Sequence, residues 1–351
     1  MKPIIPFALL GAFFAVGAAK AVSTKPVGYT SATIYAAFAP GSPKTSVVSP
    51  DLQNSAVWSG TVDTVTGDIL ALENGSLPAV LTPGAYDNIS AAFAPSVVYA
   101  YFIETADGYW AHIETNGASS VTVEAGAGAQ FSPGEVVSIH RHVTISDYFG
   151  PANETGLLGD NTGAVAEADN VILIDEVNSS SVTIFPSNVL GGTWITDGFL
   201  EAGNFPIYPD QGMQVVRRGV TNLTVVHDGE VDTNGRQIPV TTGVQIRPYV
   251  LPVDTTLADL DLYTGLESTG LADDDGTAGI GNADTVQVLE DGATTTYFYS
   301  TLDLGAGAGW YTDGFLPAGI LPAGAGLIIN RNNPRDSAPF VWVVPAPTIA
   351  P

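Results

Sequence analysis

Trp194-Ile195-Thr196-Asp197-Gly198-Phe199-Leu200-Glu201-Ala202-Gly203 returns as Trp310-Tyr311-Thr312-Asp313-Gly314-Phe315-Leu316-Pro317-Ala318-Gly319, with eight of the ten positions identical. Agreement of that order marks an internal duplication, and it extends on both sides. Upstream, Thr155-Gly156-Leu157 mirrors Thr269-Gly270-Leu271, and Ala168-Asp169-Asn170-Val171 mirrors Ala283-Asp284-Thr285-Val286. Downstream, Gly212-Met213 and Arg217 correspond to Gly326-Leu327 and Arg331. Taking Val137-Ser138-Ile139-His140 and Val244-Gln245-Ile246-Arg247 as the two starts makes each unit roughly 110 residues, an ordinary domain length. Two units of this length build pseudo-symmetric modules, whereas a solenoid needs at least about three short repeats. The residues preserved look architectural: a tryptophan leading into a Thr-Asp-Gly turn reads as a buried ring anchoring a hairpin, with Asp capping the turn.

Around the duplication the chain reads as short strands. Apolar and polar residues alternate between Gly, Asn, Asp and Pro, and helical periodicity is nearly absent. Ala100-Tyr101-Phe102-Ile103-Glu104 and Tyr109-Trp110-Ala111-His112-Ile113 flank Asp107-Gly108, a dipeptide that supplies positive φ at low cost, so they predict a hairpin. Ser59 to Val65 and Ile69 to Leu72 predict another across Thr66-Gly67-Asp68, and Asn116-Gly117 turns the chain into Ser120-Val121-Thr122-Val123-Glu124. Later strands are expected at Val137 to Ile145, Val171 to Ile174, Val182 to Phe185, Met213 to Arg217 and Leu223 to Val226. The fold class is therefore all-β: short antiparallel strands in two or three sandwich- or barrel-like modules, the C-terminal two-thirds being a duplication. The expected divisions are a signal peptide over 1–21, an N-terminal β module over 22–135, and repeat units over 136–236 and 237–351.

Met1 to Ala21 has a basic start at Lys2, an apolar run from Ile4 to Ala19 and a small-x-small end at Ala19-Lys20-Ala21, which predicts a secretory signal cleaved before Val22. The run is broken by Pro6 and Gly11 and is too short to span a membrane. Export to the extracellular space, the cell surface or the periplasm is expected. With 36 Asp+Glu against 11 Lys+Arg the formal charge is −25, which disfavours nucleic acid and anionic lipid as partners because both need clustered cations. The absence of cysteine removes disulfides, thiolate nucleophiles and Cys-bound metals together.

Pro26-Val27-Gly28-Tyr29, Ser59-Gly60-Thr61-Val62, Gly108-Tyr109-Trp110 with Ile113-Glu114-Thr115-Asn116, Val121-Thr122-Val123 and Gly134-Glu135-Val136-Val137-Ser138-Ile139 together resemble an uncharacterised family of secreted proteins from verrucomicrobia-type bacteria. The duplicated Trp-turn-Phe unit and Leu223-Thr224-Val225 are similar to the back half of that family, so the resemblance runs from Val27 to about Val344. It departs at His140-Arg141-His142, where a Pro-Tyr-Trp-like run closer to Arg247-Pro248-Tyr249 is expected. The resemblance implies export and a β-rich fold and carries over no functional residue.

Three groups of residues are candidates for chemistry. Asp273, Asp274 and Asp275 before Gly276, with Glu267 and Asp284, offer hard oxygen ligands for a structural calcium, although the EF-hand spacing and its closing Glu are missing. His140 and His142 project from one strand face and form a candidate pair of transition-metal ligands, with His112 or His227 as third. Tyr109, Trp110, Trp194 and Trp310 form a candidate aromatic platform for a sugar. No nucleophile elbow, HExxH helix, phosphate loop or dinucleotide-binding glycine pattern occurs. The leading expectation is an exported, non-enzymatic structural or adhesive β protein with no required cofactor, whose partner is itself, as homo-oligomer or filament. The alternatives are a carbohydrate-binding module acting on extracellular polysaccharide and, third, a secreted hydrolase.

Overall fold

A computed structural model describes residues 25–73, 81–89, 98–175, 180–233, 235–248, 253–276, 279–290, 292–323, 326–331 and 338–346. The expected signal segment lies outside them. The chain opens with β1 (Val27–Ile34) and β2 (Lys44–Val48). There follow β3 (Ala56–Thr66), β4 (Ile69–Leu72), β5 (Tyr101–Thr105), β6 (Trp110–Asn116), β7 (Ser120–Val123) and β8 (Val136–Arg141). These six close into an antiparallel barrel of order β3-β4-β7-β6-β5-β8. Alternation along each strand sends Ile103, Ala111, Ile113, Val121, Val137 and Ile139 into the barrel core. The turns predicted at Gly67 and Gly108 adopt φ of 60° and 83°, the left-handed region that favours glycine.

The first repeat continues with β9 (Val143–Thr144), the helix α1 (Ile145–Phe149), β10 (Asn170–Asp175), β11 (Ser180–Ser187), β12 (Thr193–Thr196), β13 (Pro206–Ile207), β14 (Met213–Arg217) and β15 (Leu223–Glu230). The second comprises β16 (Arg236–Val240), β17 (Gly243–Pro248), β18 (Thr255–Thr256), β19 (Thr285–Glu290), β20 (Ala293–Ser300), β21 (Gly309–Thr312), β22 (Ile320–Leu321), β23 (Gly326–Arg331) and β24 (Phe340–Val344). The first unit forms a sheet of order β12-β11-β10-β14-β2 with a β1-β15 pair, and the second repeats this as β21-β20-β19-β23-β17 with a β16-β24 pair.

That equivalence changes the domain plan. Because β2 pairs with β14 and β17 pairs with the equivalent β23, the counterpart of Val244 to Arg247 is Thr45 to Val48, not Val137 to His140. β1 and β2 therefore belong to the first repeat, and Ala32, Ile34 and Val48 pack in its core with Trp194 and Val215. The barrel is an insertion between β2 and β9, where the second repeat joins β17 directly to β18. A boundary after residue 135 would cut β8 from its barrel.

Each unit carries the same buried ion pair. Asp169 meets Arg217 and accepts the Leu158 N–H at 2.6 Å. In the second unit Asp284 faces Arg331 at 3.6 Å and accepts the Ala272 N–H at 2.9 Å. The turns after β9 and β18 are capped alike, by Thr144 with Asp147 and by Thr256 with Asp259.

The repeats meet through a shared patch. Gly212 lies against Ile246 with no space for a side chain, and Gly326 lies in the same way against Val47. Gly212 is the counterpart of Gly326 and Val47 that of Ile246, so the contact is reciprocal, as in an isologous dimer. The edge strands β2 and β17 are thereby placed at the seam between units.

Candidate functional site

On the barrel wall, β5 lies between β6 and β8, and register sets His112, Phe102 and His140 in one row. This row is on the outer face, and the rest of the chain covers it. His142 joins it two residues beyond His140, so His140 and His142 both stack on Phe102, at 5.2 and 4.8 Å. The expectation that they share a face holds. The imidazoles that converge, however, are His112 and His142, whose Nδ1 and Nε2 approach to 3.2 Å. His140 instead places Nδ1 at 2.8 Å from the Asn54 carbonyl, and His227 packs elsewhere, on Tyr148 at 5.4 Å.

Tyr99 stacks on His112 at 4.3 Å, and Tyr208 of the first repeat sits edge-on to both His112 and His142 at 4.4 and 4.9 Å. Burial lowers the pKa of His112 to about 3 and of His140 to about 4, and it pushes His142 well below the usual range. All are neutral aromatic packing units at ordinary pH. Between Phe102, His142, Tyr208 and Arg236 only about 10 Å³ remains open, the lower limit for one water.

One position along, Glu104 anchors a buried charge cluster. Its carboxylate accepts from Lys25 Nζ at 2.9 Å and Gln53 Nε2 at 3.3 Å, while Asp232 lies 3.8 Å from Lys25 and 3.6 Å from Arg236. Burial, reinforced by Asp232, raises the Glu104 pKa to about 7 against the pull of Lys25 and Arg236. Glu104 comes from the barrel, Lys25 from just before β1, Gln53 from the β2–β3 connection, Asp232 from the connection between repeats and Arg236 from β16, so the cluster ties all three units together.

The expected calcium loop is divided among other duties. The buried Asp274 carboxylate accepts from Ser300 Oγ at 2.6 Å and from the Gly276 and Thr301 amides at 3.2 and 3.4 Å. Its counterpart Asp160 holds the Asn188 and Gly163 amides in the same manner. Asp284 belongs to the Arg331 pair, and Asp273 accepts from the Tyr263 hydroxyl at 3.0 Å and the Asp275 amide at 3.0 Å. Asp275 is exposed, with φ of 53°. Among the described residues no three of His, Asp and Glu gather to hold a metal. The acids cluster in sequence because loop bracing and ion pairing recur there.

The aromatic platform separates likewise. Trp194 is 1% exposed and donates its indole N–H to the Gly150 carbonyl at 2.8 Å, and Trp310 is 8% exposed with Tyr299 edge-on at 5.7 Å. Both are core. Tyr109 is half-buried against Phe131, and Trp110 is half-buried against Phe102 and His112.

What faces outward is the turn after each tryptophan. Phe199 and Phe315 adopt φ of 61° and 62° and are 61% and 47% exposed, and Leu200 and Leu316 beside them are exposed too. A bulky side chain at positive φ is strained by about 1–3 kcal/mol. The strain is held by an identical lattice: Thr196 N–H to Leu200 O at 2.8 Å and Leu200 N–H to Thr196 Oγ1 at 3.2 Å, repeated at Thr312 and Leu316. Threonine, rather than the expected Asp, caps the turn. Ala202 N–H to Trp194 O and Ala318 N–H to Trp310 O, each at 2.9 Å, fold the chain back over the outer edges of β12 and β21. Only the literal identity of the two copies signalled this element in sequence.

An open groove of about 580 Å³ lies between the repeats, lined in part by Ser180, Ser181, Thr241, Thr242 and Gln245. No family model, curated protein or solved structure matches the chain.

Proposed function

We propose that the chain is an exported, non-enzymatic β protein with a structural or adhesive role at the cell surface or in the extracellular matrix. The observation that carries this reading is the duplicated turn, which presents the same strained, exposed Phe-Leu pair from both repeats. Exposed apolar residues on rigid supports are the usual anchors of protein interfaces. Each turn is on the outer edge strand of its sheet, away from the seam where β2 and β17 meet, so one molecule offers two equivalent contacts. Bivalency of this kind turns a weak contact into assembly. The folded-back segments at Ala202 and Ala318 cover the outer sheet edges, which favours side-chain contact at the turns over strand addition.

The test is light scattering behind size exclusion on the chain from Val22 onward, in low salt, in added calcium and in chelator. Defined multimers that shrink to monomer in the Phe199→Ala/Phe315→Ala variant, at unchanged circular dichroism, are expected. Repulsion among the 36 acidic residues should make the multimers grow when salt or calcium screens it. A chain monomeric under every condition would overturn self-assembly and turn attention to polysaccharide, tested by retention on insoluble glycans.

A further inference from the structure

Tyr263 and Tyr299 stack face to face in the second repeat, with ring centroids 3.5 Å apart and planes inclined by only 14°. Both are half-buried, on the rim of the core that contains Trp310. The Tyr263 hydroxyl donates to Asp273 Oδ2 at 3.0 Å. Among its described residues the first repeat has no such arrangement. Opposite Trp194 it carries Pro186 where Tyr299 lies opposite Trp310, and before Asp160 it carries Gly159 where Asp273 precedes Asp274. Two differences between the repeats thus converge on one tyrosine pair. The chain has no cysteine, so a covalent staple in it cannot be a disulfide.

We infer that Tyr263 and Tyr299 form an oxidative cross-linking site, joined as dityrosine by a one-electron oxidant of the peroxidase class acting with hydrogen peroxide. Each phenol loses one electron and its hydroxyl proton to give a phenoxyl radical, and the Asp273 carboxylate receives the proton from Tyr263. The radicals couple through their Cε carbons. In stacked rings the new C–C bond lies along the facing π lobes, the direction in which spin density on the ortho carbons overlaps. The two ring protons then leave as both rings become aromatic again, and the phenol oxygens regain protons. In net terms two hydrogen atoms leave the protein and one hydrogen peroxide becomes two waters. Burial, followed by the Asp273 contact, holds the Tyr263 phenol up to about 12. Oxidation therefore starts from the protonated ring and is faster with an acceptor already in contact. The product ties the loop bearing Tyr263 to β20, as a disulfide would.

The experiment treats the intact chain with peroxidase and hydrogen peroxide. It follows dityrosine fluorescence, then locates the bond by mass spectrometry of acid-directed proteolytic peptides. The expected result is a product that runs as a single chain under denaturing conditions and whose dominant cross-link is Tyr263 to Tyr299, two hydrogens lighter than the sum of its peptides, although the chain offers 13 tyrosines. Tyr263→Phe and Tyr299→Phe keep the rings and the fold but should each remove most of the intramolecular signal. Asp273→Asn should slow its formation several-fold and change its pH dependence. Cross-links spread over other tyrosines, products formed mainly between chains, or a yield unchanged in Tyr263→Phe would each overturn the assignment.

Discussion

Replacing Trp194 by alanine separates an architectural tryptophan from a ligand platform. The indole is 1% exposed, lies 5.5 Å from Phe149, and donates to the Gly150 carbonyl at 2.8 Å. A buried tryptophan withdraws about 200 Å² from water, which at about 25 cal/mol per Å² is worth about 5 kcal/mol. Stranding the Gly150 carbonyl costs about 1–3 kcal/mol more. The retained methyl group and partial collapse of the cavity give some of this back, so the net loss should be about 3–5 kcal/mol. Against a total stability of about 5–15 kcal/mol, that is enough to bring the first repeat close to unfolding at room temperature. The assay is urea denaturation followed by circular dichroism, with Trp194→Phe as companion. Phenylalanine keeps most of the area and loses the hydrogen bond, so it should cost about 1–2 kcal/mol. Phe199→Ala, at an exposed ring, should stay within about 1 kcal/mol of wild type. A Trp194→Ala chain with the wild-type midpoint would refute the burial argument and return the indole to the candidate binding residues.

Phe199→Gly and Phe315→Gly should each stabilise the fold by about 1 kcal/mol through relief of positive φ, while abolishing assembly; a loss of stability would show that the exposed rings support the turn. Arg331→Met alone should cost about 3–5 kcal/mol by leaving Asp284 buried without its guanidinium, whereas Arg331→Met with Asp284→Leu should recover most of it, both measured by denaturant melts. Stability should climb from about pH 4 to about pH 6.5, because the histidine contributions together outweigh that of Glu104. The Glu104 pKa is raised to about 7 by burial, so its contribution is complete below its unfolded value and drains as pH rises through 7. The pKa values of His112 and His140 are lowered by burial to about 3 and about 4, so their contribution is complete above the unfolded histidine value and is lost as pH falls through those values. Glu104→Gln should remove the loss that accrues between pH 4.5 and about 7, steepening the rise of stability across that window, and a slope unchanged there in that variant would count against the assignment.

Local signals carried a long way in this chain because period-2 alternation and turn chemistry act over a few residues. The hairpins at Gly67 and Gly108, the strand at Met213 to Arg217 and the duplication around Trp194 and Trp310 were all legible from neighbouring side chains. The ion pairs Asp169 with Arg217 and Asp284 with Arg331 were half legible: their members stood at matching places in the repeat, but nothing short of strand pairing joined them.

The barrel insertion was not legible. β2, Lys44-Thr45-Ser46-Val47-Val48, shares no identical residue in register with its counterpart Gly243 to Arg247, because a strand's place in a sheet is set by backbone hydrogen bonds that any alternating segment can make. The candidate residues carry structural duties for a related reason. Asp274 and Asp284, His140 and His142, and Trp194 and Trp310 were named for the chemistry their side chains could perform. Tertiary structure spent that chemistry on loop bracing, ion pairing and packing, because a buried polar or aromatic group must be satisfied wherever the fold puts it. Conversely, nothing in the neighbouring sequence marked Phe199 and Phe315 as outward or joined Tyr263 to Tyr299; exposure and contact in the fold did. Composition and periodicity by themselves determined an acidic, cysteine-free, duplicated all-β chain. Which side chains are turned inward, and which meet across the three units, was decided only in three dimensions, since both depend on contacts between residues far apart in the chain.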